Sequence, residues 1–164
     1  MAVSLAGFDP QVVAEYGITA DNLRRVEQYL RLLQGPDALA LKDIAVGGYY
    51  GTAALLHEVV ELDILLEREP RLLSLKRTQV RAFWGGNGDA HVTALVTEYT
   101  YLQRQIGEVL GEEVEISALL WANTTKRDFD MLAESDWLYP LLVPDAAEVD
   151  RAGRLLARLR EVEL

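Results

Sequence analysis

The 164-residue sequence predicts an all-α fold, and three observations carry that prediction. Apolar residues recur at three- and four-residue spacing through most of the chain, which is the period of one helical face. Helix punctuation recurs beside them, with Asp or Thr before the apolar runs and Gly or Pro after them. No stretch alternates apolar and polar residues as a half-buried strand does, and no Asn-Gly turn is flanked by β-branched runs.

The elements follow in order. Asp9-Pro10 supplies an N-cap and a proline at the first helical position, and Gly17 closes that short helix. Thr19 caps a second helix to Gln34, stopped by Gly35-Pro36, in which Leu23, Val26, Leu30 and Leu33 share a face. Asp37 is expected to cap a shorter helix ending near Gly47-Gly48. Residues 49–69 form the strongest helical segment, ended or kinked by Pro70. Residues 71–83 read as a further helix. Gly85-Gly86-Asn87-Gly88 reads as a loop and the clearest break in the chain. Asp89 then caps a long helix from Ala90 to about Leu110, closed by Gly111. Another spans roughly Ile116 to Ala133, with an interruption expected at Asn123-Thr124-Thr125, where Thr125 and Asp128 have capping-box spacing. Trp137, Tyr139 and Pro140 mark an aromatic loop, and with Trp121 and Phe129 they are read as packing groups. Asp145 caps a last helix reaching almost to Leu164. The expectation is a helical bundle of six or seven helices in one domain spanning 1–164. Two long central helices, 49–69 and 90–110, are expected to pack together.

Composition narrows the function. Asp and Glu number 26 against 16 Lys and Arg, a net charge of -10, so a phosphate-dominated nucleic-acid interface is not expected. The absence of cysteine rules out disulfides, Cys-ligated metal sites and a thiol nucleophile. The first ten residues lack the basic and apolar regions of a signal peptide, and no uncharged apolar run approaches a membrane span. A soluble, intracellular, cytoplasmic protein is therefore the expectation, with no membrane partner.

The chemical lead lies in the two histidines. His57 and Glu61 are four residues apart, one turn along a single face, with Glu58 about 100° round the helix. His91 and Glu98 are two turns apart on the other long helix. The small residues Gly51 and Ala54, upstream of His57, suit the close approach of a neighbouring helix. Imidazole and carboxylate together suit Zn, Mn, Fe or Ni, and helix bundles build such sites from facing helices. His57, Glu61, His91 and Glu98 are thus candidate ligands for one divalent metal, and Glu58 is the candidate general base for hydrolysis. Spacing alone does not decide it. With 26 acids in 164 positions, the six helical neighbours of a histidine include an acid by chance about two times in three. The apolar flanks Ala53-Ala54-Leu55-Leu56 and Val59-Val60 add weight, because a charged group on an apolar helix must be paired or ligating. The alternative is a non-enzymatic structural or interaction protein in which the same groups form buried His–Glu pairs.

Two short resemblances involve the same helix. His57-Glu58-Val59-Val60-Glu61 resembles the HExxH helix of zinc metallopeptidases, with Glu61 where that motif has its second histidine. Glu58-Val59-Val60-Glu61 resembles the first ExxE of the MazG-type all-α pyrophosphohydrolases over four residues, and the family's ExxD element has no counterpart. Neither amounts to a family assignment. Finally, Val149, Ala152, Leu156 and Leu159 form an apolar stripe on the last helix, with Arg151, Arg154, Arg158 and Arg160 beside it. In an acidic protein this basic, amphipathic helix is a candidate surface for a homo-oligomer.

Overall fold

The computed structural model describes residues 4–123 and 144–164. Among them are eight α-helices and no strand, so the fold is all-α, with more helices than the six or seven expected. They are α1 (Pro10–Glu15), α2 (Ala20–Gln34), α3 (Leu39–Val46), α4 (Gly48–Arg68), α5 (Arg77–Gly86), α6 (Gly88–Gln105), α7 (Ile116–Asn123) and α8 (Ala146–Glu161). The second half of the 116–133 segment lies outside the described residues. So do Thr125, Asp128, Phe129, Trp137, Tyr139 and Pro140.

Helix α4 organises the rest. It buries residues on every side, from Tyr50 to Leu65, as a helix apolar all round must. Its most extensive contact is with α6, as expected for the two long helices, and α2, α3 and α8 also pack on it. Its start depends on glycine. Gly47 has φ 69°, and a Cβ there would stand 2.9 Å from the Gly7 carbonyl oxygen. At Gly51 a neighbouring helix does approach closely, as expected of the small residues upstream of His57. A Cβ at Gly51 would meet the carbonyl oxygens of Ile44 at 3.1 Å and Asp43 at 3.3 Å, so it is α3 that approaches closely.

The structure revises several boundaries. The cap of α3 is Ala38, with no side-chain hydrogen bond, so Asp37 is released from the capping role. Residues 71–83 split into a 3-10 turn at Leu72–Ser74 and α5, because Pro70 stops α4 and the turn reverses the chain. The glycine-rich stretch 85–88 is not a loop. α5 runs through Gly86 and α6 begins at Gly88, leaving Asn87 as the only residue between them. Arg68, at the end of α4, secures this corner by donating to Asn87 Oδ1 at 3.0 Å and to Asp89 Oδ2 at 2.6 Å. Asn87, not Asp89, is the residue at the cap of α6. The long helix changes at Gln105 into a π-turn, Ile106–Leu110, before Gly111 closes it in the left-handed conformation.

Asp145 caps α8 as expected, accepting from the Ala147 and Glu148 backbone N–H groups. The apolar side of α8, Ala152, Leu155, Leu156 and Leu159, is buried in the chain's own core. At the opposite end of the chain, Asp9 caps α1, accepts from Tyr101 Oη at 2.7 Å, and donates its backbone N–H to Thr52 Oγ1 at 2.9 Å. These bonds fix the start of the chain to α4 and α6, around the site below. No helix among the described residues is long and apolar enough to cross a membrane.

Candidate metal centre

His57, Glu58 and Glu61 come from the middle of α4, and His91 and Glu98 from α6. The packing of these two helices closes the gap between the histidines, whose ring centroids lie 5.0 Å apart at 70°. His57, Glu58, Glu61 and His91 are all buried, with Glu61 only 1% exposed.

Glu61 is the centre of the arrangement, and its two oxygens are sorted by role. Oε1 accepts from Tyr29 Oη of α2 at 2.6 Å and from Trp84 Nε1 of α5 at 2.8 Å. Oε2 lies 3.1 Å from His57 Nε2 and 2.8 Å from His91 Nδ1. On its other side, His57 Nδ1 lies 2.8 Å from Glu98 Oε1. A carboxylate offers about four acceptor sites, so four donors satisfy Glu61 fully. Burial by itself would raise the Glu61 pKa, but the hydrogen bonds from His57 and His91 hold it well below the usual carboxylate range. Burial would likewise lower the His57 pKa. The hydrogen bonds to Glu61 and Glu98 overcome this and raise it well above 6.5. A carboxylate oxygen stands against each ring nitrogen of His57, an arrangement that favours its protonated form when no ion is bound.

Glu58 behaves in the opposite way. It is 8% exposed, and among the described residues nothing hydrogen-bonds to its carboxyl. Burial pushes its pKa up to about 8, the nearby Glu61 and Glu98 carboxylates add to the rise, and His57 and His91 oppose it. Two glutamates three residues apart on one helix are therefore shifted in opposite directions.

One ligand atom each from His57, Glu61 and His91 lies within 4.8 Å of the others, a grouping that could hold a metal ion. The chemistry of the donors fits a borderline divalent ion. Glu98 stands one residue further out, against the far nitrogen of His57. This is where a carboxylate orients a ligating imidazole. No family model, curated protein or solved structure matches this chain. What the centre does must therefore be argued from its own geometry.

That geometry includes a cavity of about 890 Å³, with His57, Glu58, Glu61, His91 and Glu98 in its wall. Tyr50, Tyr99 and Asn123 line another part of it. There Asn123 Nδ2 donates to Tyr99 Oη at 2.9 Å, a use of Asn123 that reading it as a turn residue missed. Tyr101, by contrast, is engaged by Asp9. The sequence reading also missed Tyr29 and Trp84. The available signal was a tyrosine on the apolar face of α2, beside Val26 and Leu30, since a buried phenol needs a hydrogen-bond partner.

Proposed function

We propose that this chain holds one divalent transition metal, with His57 Nε2, His91 Nδ1 and Glu61 Oε2 as ligands. The observation that carries the reading is the sorting of the Glu61 oxygens. Tyr29 and Trp84 anchor one of them, and the other faces both imidazoles. Glu98 positions His57 from behind, as ligating histidines require. Three protein ligands leave a further coordination position, the pattern of a catalytic rather than a structural ion. The cavity supplies room for water and substrate at that position. Within this reading the centre is hydrolase-like. An ion held there would lower the pKa of a bound water, and its charge would favour the ionised form of Glu58, which lines the same cavity and would then be the general base.

The second reading is structural. Glu61 is fully satisfied by its four donors, and among the described residues no buried side-chain nitrogen or oxygen lacks a partner. A proton-linked hub joining α2, α4, α5 and α6 would look the same. Elemental analysis of untagged protein separates the two. The metal reading expects about one transition-metal ion per chain, lost in His57→Ala and in His91→Ala. An unchanged melting temperature on adding Zn, Mn, Fe or Ni would overturn it, because binding to the native state must stabilise it. For the cell, the reading implies a soluble cytoplasmic enzyme without nucleic-acid or membrane partners. A homo-oligomer through α8 would have to use the exposed Arg154 and Arg158, since the apolar side of that helix is buried.

A further inference from the structure

The cavity follows α4, and its two ends differ in chemistry. Tyr50, Ala54, His57 and Glu61 succeed one another at three- and four-residue spacing along one side of that helix, all in the cavity wall. Tyr50 therefore stands two turns before His57, about 10 Å along the axis. Ala54 of α4 and Leu95 of α6 line the span between with apolar surface. At the Tyr50 end the polar groups are two hydroxyls and an amide. Tyr50 and Tyr99 are both more than nine-tenths buried. Asn123, at the end of α7, bridges them, its Nδ2 donating to Tyr99 Oη at 2.9 Å and to Tyr50 Oη at 3.4 Å. The Arg160 guanidinium of α8, 3.8 Å from the centre of the Tyr50 ring, holds that ring in place. These bonds engage both N–H groups of the Asn123 amide but not its oxygen. Among the described residues nothing donates to Asn123 Oδ1, and the Tyr50 hydroxyl proton meets no acceptor. Among the same residues no buried side-chain oxygen lacks a partner, so Asn123 Oδ1 opens onto accessible space, and the cavity is the space Asn123 lines. A donor and an acceptor, both fixed and both unengaged, thus stand side by side in the wall, as the few polar groups that orient a ligand do.

We infer that this end of the cavity is a subsite for an uncharged amide group of the substrate. The Tyr50 O–H donates to the amide carbonyl oxygen, and Asn123 Oδ1 accepts from the amide N–H. An ester has the carbonyl but no N–H, so it leaves Asn123 Oδ1 unmet, and a carboxylate sets oxygen against oxygen. The substrate class is therefore an extended molecule with an amide at one end and a short apolar stretch along Ala54 and Leu95. Its reacting bond lies about 10 Å away, beside His57, Glu61 and His91. The volume of about 890 Å³ is in the range that receives a molecule of this size. The choice of reacting end rests on the hydrolase-like reading of the same cavity, but the subsite itself does not need the ion to be tested.

Three probes of similar shape suffice: 4-phenylbutanamide, methyl 4-phenylbutanoate and 4-phenylbutanoate, titrated by NMR into metal-stripped protein. The amide is expected to bind about three- to tenfold more tightly than the ester, the scale of one added hydrogen bond, and to shift the side-chain NH2 resonances of Asn123. Asn123→Leu should erase the preference of amide over ester. Tyr50→Phe keeps the ring under Arg160 and should weaken amide and ester alike, so if one variant fails to fold the other still decides. Equal or tighter binding of the ester or the carboxylate overturns the inference. So does an amide preference that survives Asn123→Leu, an amide affinity that Tyr50→Phe leaves unchanged, or no binding of the amide at millimolar concentration. Repeating the amide and ester titrations after adding zinc should give the same preference, and its loss would overturn the inference too, since the ion and the amide must fit together. Failure to bind zinc would overturn the metal reading alone, because the metal-stripped titration decides the subsite without it.

Discussion

At the scale of single residues, the centre turns on proton placement. Between the ordinary Glu58 value of 4.5 and its raised value of about 8, the native chain binds a proton that the unfolded chain has lost. Stability then falls as pH rises, because the native state holds more protons. His57 acts in the same direction. Its contribution is complete below 6.5 and is lost as pH rises through its raised folded value. Glu61 acts oppositely, adding stability above 4.5 that is lost as pH falls through its depressed value. Metal-stripped protein is therefore expected to be more stable to urea near about pH 6 than near about pH 9, and Glu58→Gln should flatten that slope. A slope that Glu58→Gln leaves unchanged would show that Glu58 is ionised in the native state. The anchoring residues give a second expectation. Glu61→Ala strands two imidazoles, a phenol and an indole, and should cost about 3–5 kcal/mol. Tyr29→Phe removes one hydrogen bond and should cost about 1 kcal/mol in urea unfolding. The same Tyr29→Phe change should weaken zinc binding about tenfold or more, as loss of an orienting partner does. Unchanged zinc affinity would make Tyr29 a packing residue.

At the scale of elements, two glycines separate backbone strain from steric conflict. Gly47 and Gly111 share φ 69°, but a Cβ at Gly111 meets nothing within 4 Å, whereas one at Gly47 meets the Gly7 carbonyl oxygen at 2.9 Å. Gly111→Ala should cost about 1–2 kcal/mol, the left-handed penalty for an L-residue. Gly47→Ala should cost distinctly more, because the start of α4 must also move away from Leu5–Gly7. Equal losses in thermal unfolding would show that this contact relaxes without cost. The boundaries also show what the sequence could convey. Caps made within a few residues were legible: Asp9, Thr19 and Asp145 each bond to backbone N–H groups two or three positions on. The 85–88 stretch was not. Four residues rich in glycine carry a strong loop signal, but the constraint that makes them a helix corner comes from Arg68, nineteen residues earlier in the chain at the contact with Asn87. Asp37 failed for a related reason, since a cap is chosen by where the chain enters the helix, and α3 is entered at Ala38.

At the scale of the whole molecule, the site was half legible. Histidine–carboxylate spacing named four groups that meet, because α4 and α6 are long, apolar and packed together. Spacing could not reveal that Glu61 would be the shared centre, for its other two donors arrive from α2 and α5, far away in sequence. This distribution makes the centre a joint between four helices. An ion held by His57 and Glu61 of α4 and His91 of α6 would exist only when those helices are docked, so its binding free energy adds to folding. The unfolded chain, with two histidines and no cysteine, offers little competition for the ion. At a free metal concentration about a hundredfold above Kd the gain is about 2.7 kcal/mol. For a chain of this length that corresponds to a rise in melting temperature of about 5–10 °C. Zinc or manganese added to metal-stripped protein should produce that rise, and His91→Ala should abolish it while leaving α4 intact by circular dichroism. A rise that persists in His91→Ala would place the ion elsewhere on this acidic chain. No rise in the unmodified protein would leave the four-helix joint held by protons alone.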